Sequence, residues 1–86
     1  MTLLRRTAQL VEDLRTLNLI KETDIVEFMY TCDGGIWLGI KFKHPDSFTT
    51  ISSSNIKSAI EQEFDNKFIS KLKSTSSQVL CEILPH

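Results

Sequence analysis

The sequence has few of the residues from which metal, cofactor and catalytic sites are built. Its 86 residues include three glycines, two cysteines and two histidines. Neither C-x-x-C nor H-x-x-H spacing occurs, so clustered metal ligands are missing. Gly34-Gly35 precedes a predicted strand rather than the helix N-terminus that a phosphate loop needs. We therefore expect no cofactor, no metal, no catalytic residues and no enzymatic activity.

Long apolar runs are also missing. No stretch approaches the roughly 18–20 apolar residues of a membrane span. Arg5 and Arg6 interrupt the first residues before they reach the apolar length of a signal peptide. These absences predict a cytoplasmic protein with no membrane partner. Cys32 and Cys81 are then expected as reduced thiols, with a disulfide between them as the alternative.

Neither sign of charge is in excess. Ten lysines and arginines face eleven acidic residues, which gives a formal net charge of −1. The chain as a whole therefore does not attract nucleic acid or an anionic membrane. A local basic patch around the second helix would still allow nucleic-acid binding, which is the alternative function; its candidate lysines are Lys41, Lys43, Lys57, Lys67, Lys71 and Lys73.

The composition that remains is that of a folded globular chain. Hydrophobic residues make up 41% of the sequence and charged residues 24%, as in ordinary globular domains. A chain of this length predicts a single domain, residues 1–86, with a modest core.

Two amphipathic helices are predicted. Residues 3–17 gather leucines on one half of the helical wheel, and Thr2 can cap the first turn. Arg5 and Arg6 are expected in solvent. A second helix begins near residue 55, with Ser53 or Ser54 as its cap, and buries one stripe: Ile56, Ala59, Ile60 and Phe64.

That second helix should end near Asp65-Asn66. If it continued as a straight helix, the apolar residues beyond this point would not stay on the same face. A short third helix through residue 71, capped by Asn66, is expected after this end. The alternative is a strand over residues 67–72.

A β-hairpin is predicted around Asp33-Gly34-Gly35. Residues 24–32 and 36–43 both alternate in polarity and are separated by Asp-Gly. A two-residue loop would place both polar and apolar side chains on each face of the hairpin. The three-residue loop Asp33-Gly34-Gly35 instead gives one polar face and one apolar face, as a half-buried antiparallel sheet requires. The apolar face would carry Val26, Phe28, Tyr30, Cys32, Ile36, Leu38, Ile40 and Phe42.

Two further strands are predicted, over residues 47–52 and 79–84, with a turn at His44-Pro45-Asp46. The resulting order is α-β-β-β-α-β, a two-layer α+β domain with helices on one face of a small antiparallel sheet. Over residues 2 to about 72 this order coarsely resembles the double-stranded RNA-binding domain, which uses basic residues at the start of its last helix. Here that segment is SSSNIKSAIEQEF, in which Lys57 is the only cation.

The three-residue loop places the single tryptophan, Trp37, on the face away from the main core. Met29 and Ile25 would join it there, and Lys41 and Lys43 would form part of a polar rim. An exposed tryptophan beside methionine is typical of a protein interface. We therefore expect a non-enzymatic protein-interaction module of adaptor or inhibitor type. Its partner would be another protein or a second copy in a homodimer. The alternative is that another segment of the same chain covers this face.

Overall fold

The computed structural model describes residues 2–44 and 50–85, and side chains within the second helix from residue 53 onward. Two helices, one short 3-10 turn and four strands succeed one another in the order α-β-β-α-β-β. Their bounds are α1 Leu3–Thr16, β1 Ile25–Tyr30, β2 Ile36–Lys41, α2 Thr50–Phe64, the 3-10 turn Asn66–Phe68, β3 Ile69–Ser74 and β4 Gln78–Ile83.

Helix α1 begins at the cap predicted from its sequence. The hydroxyl oxygen of Thr2 accepts a hydrogen bond from the Arg5 amide at 3.2 Å, which satisfies one of the free donors of the first turn. Asn18 comes after the helix with φ 59°, in the left-handed region common after helix C-termini. Leu10, Val11 and Leu14 are buried, as the stripe predicts, whereas Leu17 is 63% exposed because it lies beyond the packed turns.

The residues of the β1–β2 hairpin lie on the faces predicted for them. Met29 pairs with Trp37 and Phe28 with Leu38. The loop contains three residues, but they are Cys32, Asp33 and Gly34 rather than 33–35, because the Thr31 amide donates to the Gly35 carbonyl at 2.9 Å. Gly34 has φ 90°, which a side chain would strain.

The four strands form one antiparallel sheet in the order β1-β2-β4-β3. Strands β2 and β4 therefore lie at its centre, and β1 and β3 lie at its two edges. The strand predicted over residues 47–52 is wrong for residues 50–52, which form the first turn of α2. Residues 45–49, with the predicted turn at Pro45-Asp46, lie outside the described residues.

Helix α2 begins at Thr50, about one turn before the predicted start, so neither predicted serine cap stands at its N-terminus. Ser53 lies inside the helix, with its hydroxyl 2.6 Å from that of Ser74 in β3. The predicted stripe is confirmed, since Ile56, Ile60 and Phe64 are fully buried and Ala59 packs against them.

Arg6 is not solvated as predicted, because it ties α1 to α2. Its Nη2 atom donates to the Glu63 carbonyl at 2.5 Å, and its Nε atom lies 3.4 Å from the Glu63 carboxylate. The guanidinium also lies over the Phe64 ring, 5.0 Å from its centroid. Arg5, one residue earlier, is exposed.

The predicted end of α2 near Asp65 is confirmed, and the strand alternative holds for the residues beyond it. Asp65 has φ 60°, and its carboxylate accepts from the Lys67 amide at 3.4 Å at the start of the 3-10 turn. The predicted third helix through Lys71 is wrong, because β3 begins at Ile69 and pairs with β4. The pairing shifts between Ser70 and Lys73, where Lys71 has φ 57°. This shift is a β-bulge in an edge strand.

One hydrophobic core lies between the helices and one face of the sheet, which confirms the two-layer α+β fold. Alternate residues of β2 and β4 reach it, so their other face points away from the helices: the core strand residues are Ile36, Leu38, Ile40, Val79, Cys81 and Ile83. Neither α1 nor α2 has the length and apolar character needed to cross a membrane.

Candidate functional site

The sheet has an outer face, opposite the helices, and Trp37 lies on it near the start of the central strand β2. Register places Met29 directly across from Trp37 on one side, and Glu82 across from it on the other. Ile25 and Lys41 pair further along the same face. Four of the five predicted partner-binding residues therefore share this outer face.

The fifth predicted residue, Lys43, lies just beyond the end of β2. Its side chain is exposed, and its amide donates to the Asp24 carboxylate at 3.1 Å. The same carboxylate accepts from the Lys21 amide at 2.8 Å. Asp24 thus fixes both the entry to β1 and the exit from β2, which places Lys43 at the end of the hairpin rather than beside Trp37.

Trp37 is half-buried although no helix covers it. The ammonium nitrogen of Lys71 lies 5.6 Å from the centroid of its ring, a distance that allows a cation–π interaction. Lys71 comes from β3, which is separated from β2 by β4. The bulge at Lys71 turns this side chain toward the outer face, and its role beside Trp37 was missed by sequence reasoning because nothing in the sequence marks the bulge.

Beside Trp37 lies an open depression of about 570 Å³. Gly39 contributes to its floor, since it stands between Glu27 of β1 and Leu80 of β4 and has no side chain to fill the space. The depression is lined by Glu27, Phe28, Met29, Trp37, Leu38, Gly39 and Leu80. Leu80 was not among the predicted site residues. It lies on the outer face because it is two residues from Glu82 on β4, and alternate residues of a strand share a face.

The charges near the depression are of mixed sign. Glu27 is exposed at its rim, and Lys41 and Glu82 lie on the same face. Mixed charges around an apolar centre are the usual arrangement of a protein interface. They do not form the continuous basic surface that nucleic acid requires.

The lysines of the alternative function are spread over several elements. Lys57 is the only lysine of α2. Lys67 lies over the ring of its neighbour Phe68, 5.1 Å from the centroid, and Lys71 lies over Trp37. Two of the six candidate lysines are thus placed against aromatic rings of their own chain.

The two thiols occupy different environments. Cys81 lies in β4 opposite Leu38, buried under the helices, and this burial raises the pKa of its thiol to about 12. Such a thiol stays protonated and is a poor nucleophile. Cys32 is exposed in the hairpin loop, so the two cysteines are free, as predicted.

The single acidic side chain of the loop, Asp33, stabilises the turn. The hydroxyl of Thr31 donates to the Asp33 carboxylate at 2.5 Å, and this bond is the main cause that lowers the pKa of Asp33. The same hydroxyl accepts from the Gly35 amide at 2.8 Å. Within residues 2–44 and 50–85, no group of three or more His, Cys, Asp or Glu side chains could hold a metal ion.

Comparison of the chain with protein-family models, with curated proteins and with solved structures gave no significant match.

Proposed function

We propose that this chain is a non-enzymatic protein-interaction module that binds a protein partner through the outer face of its sheet. The observation that carries the proposal is the open apolar depression beside Trp37. Met29 at its edge is 67% exposed. Exposed apolar surface of this kind, with a tryptophan beside a methionine, is typical of interaction sites.

The shape of the depression indicates what a partner would insert. Its centre is apolar, with Leu80 across from Gly39 on β4 and Trp37 two residues before Gly39 on β2, and its rim carries Glu27. An apolar side chain of the partner would fill the space above Gly39. Polar groups around that side chain would then meet the charged rim, and the exclusion of water from the centre would stabilise the complex.

Filling the depression from within tests the proposal. In Gly39→Val the new side chain would occupy the partner's space. The added Cβ atom meets only the flexible end of Leu80, at 3.4 Å, so the fold should tolerate it. Valine is also favoured over glycine in a strand. Leu17→Lys is the matched surface control, because Leu17 is 63% exposed at the end of α1, outside the depression.

The wild-type, Gly39→Val and Leu17→Lys proteins would be immobilised and incubated with extract of the source cells. We expect at least one protein to be retained by the wild type and by Leu17→Lys and lost with Gly39→Val. The purified partner should then shift the emission of the single tryptophan, Trp37. Equal retention by all three proteins would contradict the proposal. Salt-sensitive retention of the chain on duplex RNA or DNA would favour nucleic-acid binding instead.

A further inference from the structure

The two edges of the sheet differ in how they are protected. The β3 edge is interrupted by the bulge at Lys71 and carries the exposed side chain of Lys73. Bulges and lysines keep an edge strand from pairing with another chain. The β1 edge, IVEFMY, contains no lysine, glycine or proline, carries one charged side chain, Glu27, and pairs with β2 without a register shift. Strand β1 is therefore the less protected of the two edges in the described sheet.

The backbone of β1 points its free hydrogen-bonding groups away from the sheet at three residues. The Thr31–Gly35 hydrogen bond shows that odd-numbered residues of β1 bond to β2. Backbone bonds alternate in direction along an antiparallel strand. The amides and carbonyls of Val26, Phe28 and Tyr30 therefore point to the open edge, where β1 has no neighbour among the four described strands.

Apolar side chains are exposed on both faces beside this edge. Met29 and Ile25 are 67% and 55% exposed on the outer face, and Tyr30 and Phe28 are 68% and 40% exposed on the helix side. Leu4 of α1, also exposed, lines a small depression of about 30 Å³ with Phe28 and Tyr30.

The surface available at this edge is that of a small, weak dimer. Large apolar side chains have areas of about 150–250 Å². The exposed parts of these five side chains then amount to roughly 500 Å² per copy. Two copies would have at most about 1,000 Å² to bury, the size of a weak, transient interface rather than of a permanent one. The net charge of −1 gives two copies little reason to repel each other.

From these observations we infer that two copies of this chain pair antiparallel through their β1 edges, about a two-fold axis at Phe28, to form one eight-stranded sheet. In this register Val26 lies opposite Tyr30 of the other copy, and Glu27 lies opposite Met29. All three outward-pointing residues then exchange backbone hydrogen bonds. An axis at Glu27 would instead place two carboxylates directly opposite each other, which is unfavourable.

A second copy is the inferred occupant because the exposed apolar area of two copies approaches what a small dimer needs, and because this register places no like charges opposite each other. The inference goes beyond the outer-face proposal. Met29 and Glu27 take part in both surfaces, but the dimer uses the backbone edge of β1 and leaves the space above Gly39 open. The Gly39→Val variant should therefore still dimerise, and a failure of either proposal can be recognised separately.

Sedimentation velocity between roughly 5 and 500 µM would show the wild type shifting from monomer to dimer, with a dissociation constant in the micromolar range expected for a small interface. In Tyr30→Pro the ring removes an amide hydrogen that points to the open edge, so the bonds to β2 stay intact. We expect its dimer to be at least tenfold weaker. Leu17→Lys, on α1, should dimerise like the wild type.

A charge swap at the two-fold axis tests the register. Phe28→Lys and Phe28→Glu should each be monomeric alone, because like charges would lie opposite each other. A mixture of the two should form a heterodimer. Circular dichroism would show whether each variant is folded. If Tyr30→Pro does not fold, the mixture of Phe28→Lys and Phe28→Glu tests the inference in its place. A wild type that stays monomeric at the highest concentration would overturn the inference. So would dimers that Tyr30→Pro and Phe28→Lys leave unchanged.

Discussion

Lys71 holds its ammonium nitrogen over the ring of Trp37, although a whole strand separates the two residues in the sheet. The contact depends on the bulge in β3, where Lys71 takes up a φ of 57°. For an L-residue with a side chain this conformation costs roughly 1–2 kcal/mol relative to glycine. Lys71 therefore stabilises the fold through its contact with Trp37 and destabilises it through its strained backbone.

Two substitutions at Lys71 separate these effects. Lys71→Ala should lower the free energy of unfolding by about 0.5–1 kcal/mol, since it removes an exposed cation–π contact and keeps the strain. Lys71→Gly removes the same contact but relieves the strain, so it should be about 1 kcal/mol more stable than Lys71→Ala. Urea denaturation gives both values. In both variants the emission of Trp37 should move to longer wavelength, and a glycine variant no more stable than the alanine variant would contradict this account.

Arg6 should matter for stability far more than Arg5. Arg6→Ala removes a charged donor from the Glu63 carbonyl and a cation from the face of Phe64. For a half-buried group this should lower the free energy of unfolding by about 1–2 kcal/mol. Arg5→Ala, on the exposed neighbour, should change it by less than about 0.5 kcal/mol. Thermal unfolding of the two variants makes the comparison, and equal losses would show that Arg6 does not join the helices.

Gly35 and Gly39 should respond in opposite directions to the same substitution. A Cβ atom at Gly35 would stand 2.6 Å from the Ile83 carbonyl oxygen, so backbone has to move, and Gly35→Ala should destabilise the fold by about 1–3 kcal/mol. At Gly39 the nearest atom is the end of Leu80, at 3.4 Å. Gly39→Ala should therefore be neutral or stabilise the fold by about 0.5 kcal/mol. Urea denaturation distinguishes the two, and similar losses at both sites would contradict the packing described.

Stability should fall at alkaline pH because of Cys81. The unfolded thiol ionises near its ordinary pKa of 9.0, whereas burial holds the folded pKa at about 12. The folded state therefore keeps a proton that the unfolded state loses. The resulting loss of unfolding free energy begins near pH 9 and reaches about 2 kcal/mol by roughly pH 10.5.

The control for this pH dependence is Cys81→Ala, whose unfolding free energy should fall less steeply over the same range. Parallel slopes for the two proteins would contradict the assignment to Cys81. A thiol reagent at neutral pH gives a second measurement. It should modify the exposed Cys32 in the native protein and reach Cys81 only after unfolding.

The face that carries Trp37 could be predicted from alternation alone, but the position of the hairpin loop could not. Moving the loop by one residue shifts each pairing partner by two positions, and such a shift keeps every side chain on its face. The choice is made by Thr31, whose hydroxyl bonds both the Gly35 amide and the Asp33 carboxylate. These hydrogen bonds cannot be predicted from the pattern of apolar residues.

Other parts of the site depend on long-range packing. Residues 50–52 have a strand-like composition, yet they belong to α2, in keeping with the rule that context overrides local propensity. Lys71 belongs to the site through a bulge, and Leu80 through the pairing of β4 with β2. Alternation also contains no information on the order of the strands, so the open edge of β1 could not be foreseen. Parity along β1, β2 and β4 was predictable, whereas the bulge of β3 and the arrangement between strands were not.

The central pair of strands joins residues 36–41 to residues 78–83, with all of α2 between them in the chain. During synthesis the β1–β2 hairpin therefore leaves the ribosome well before β4, which pairs with the second edge of β2. Until β4 emerges, the backbone of β2 has no neighbour on that edge, a state prone to aggregation. We expect chaperones that recognise extended apolar segments to bind this nascent hairpin and to leave it when β4 inserts.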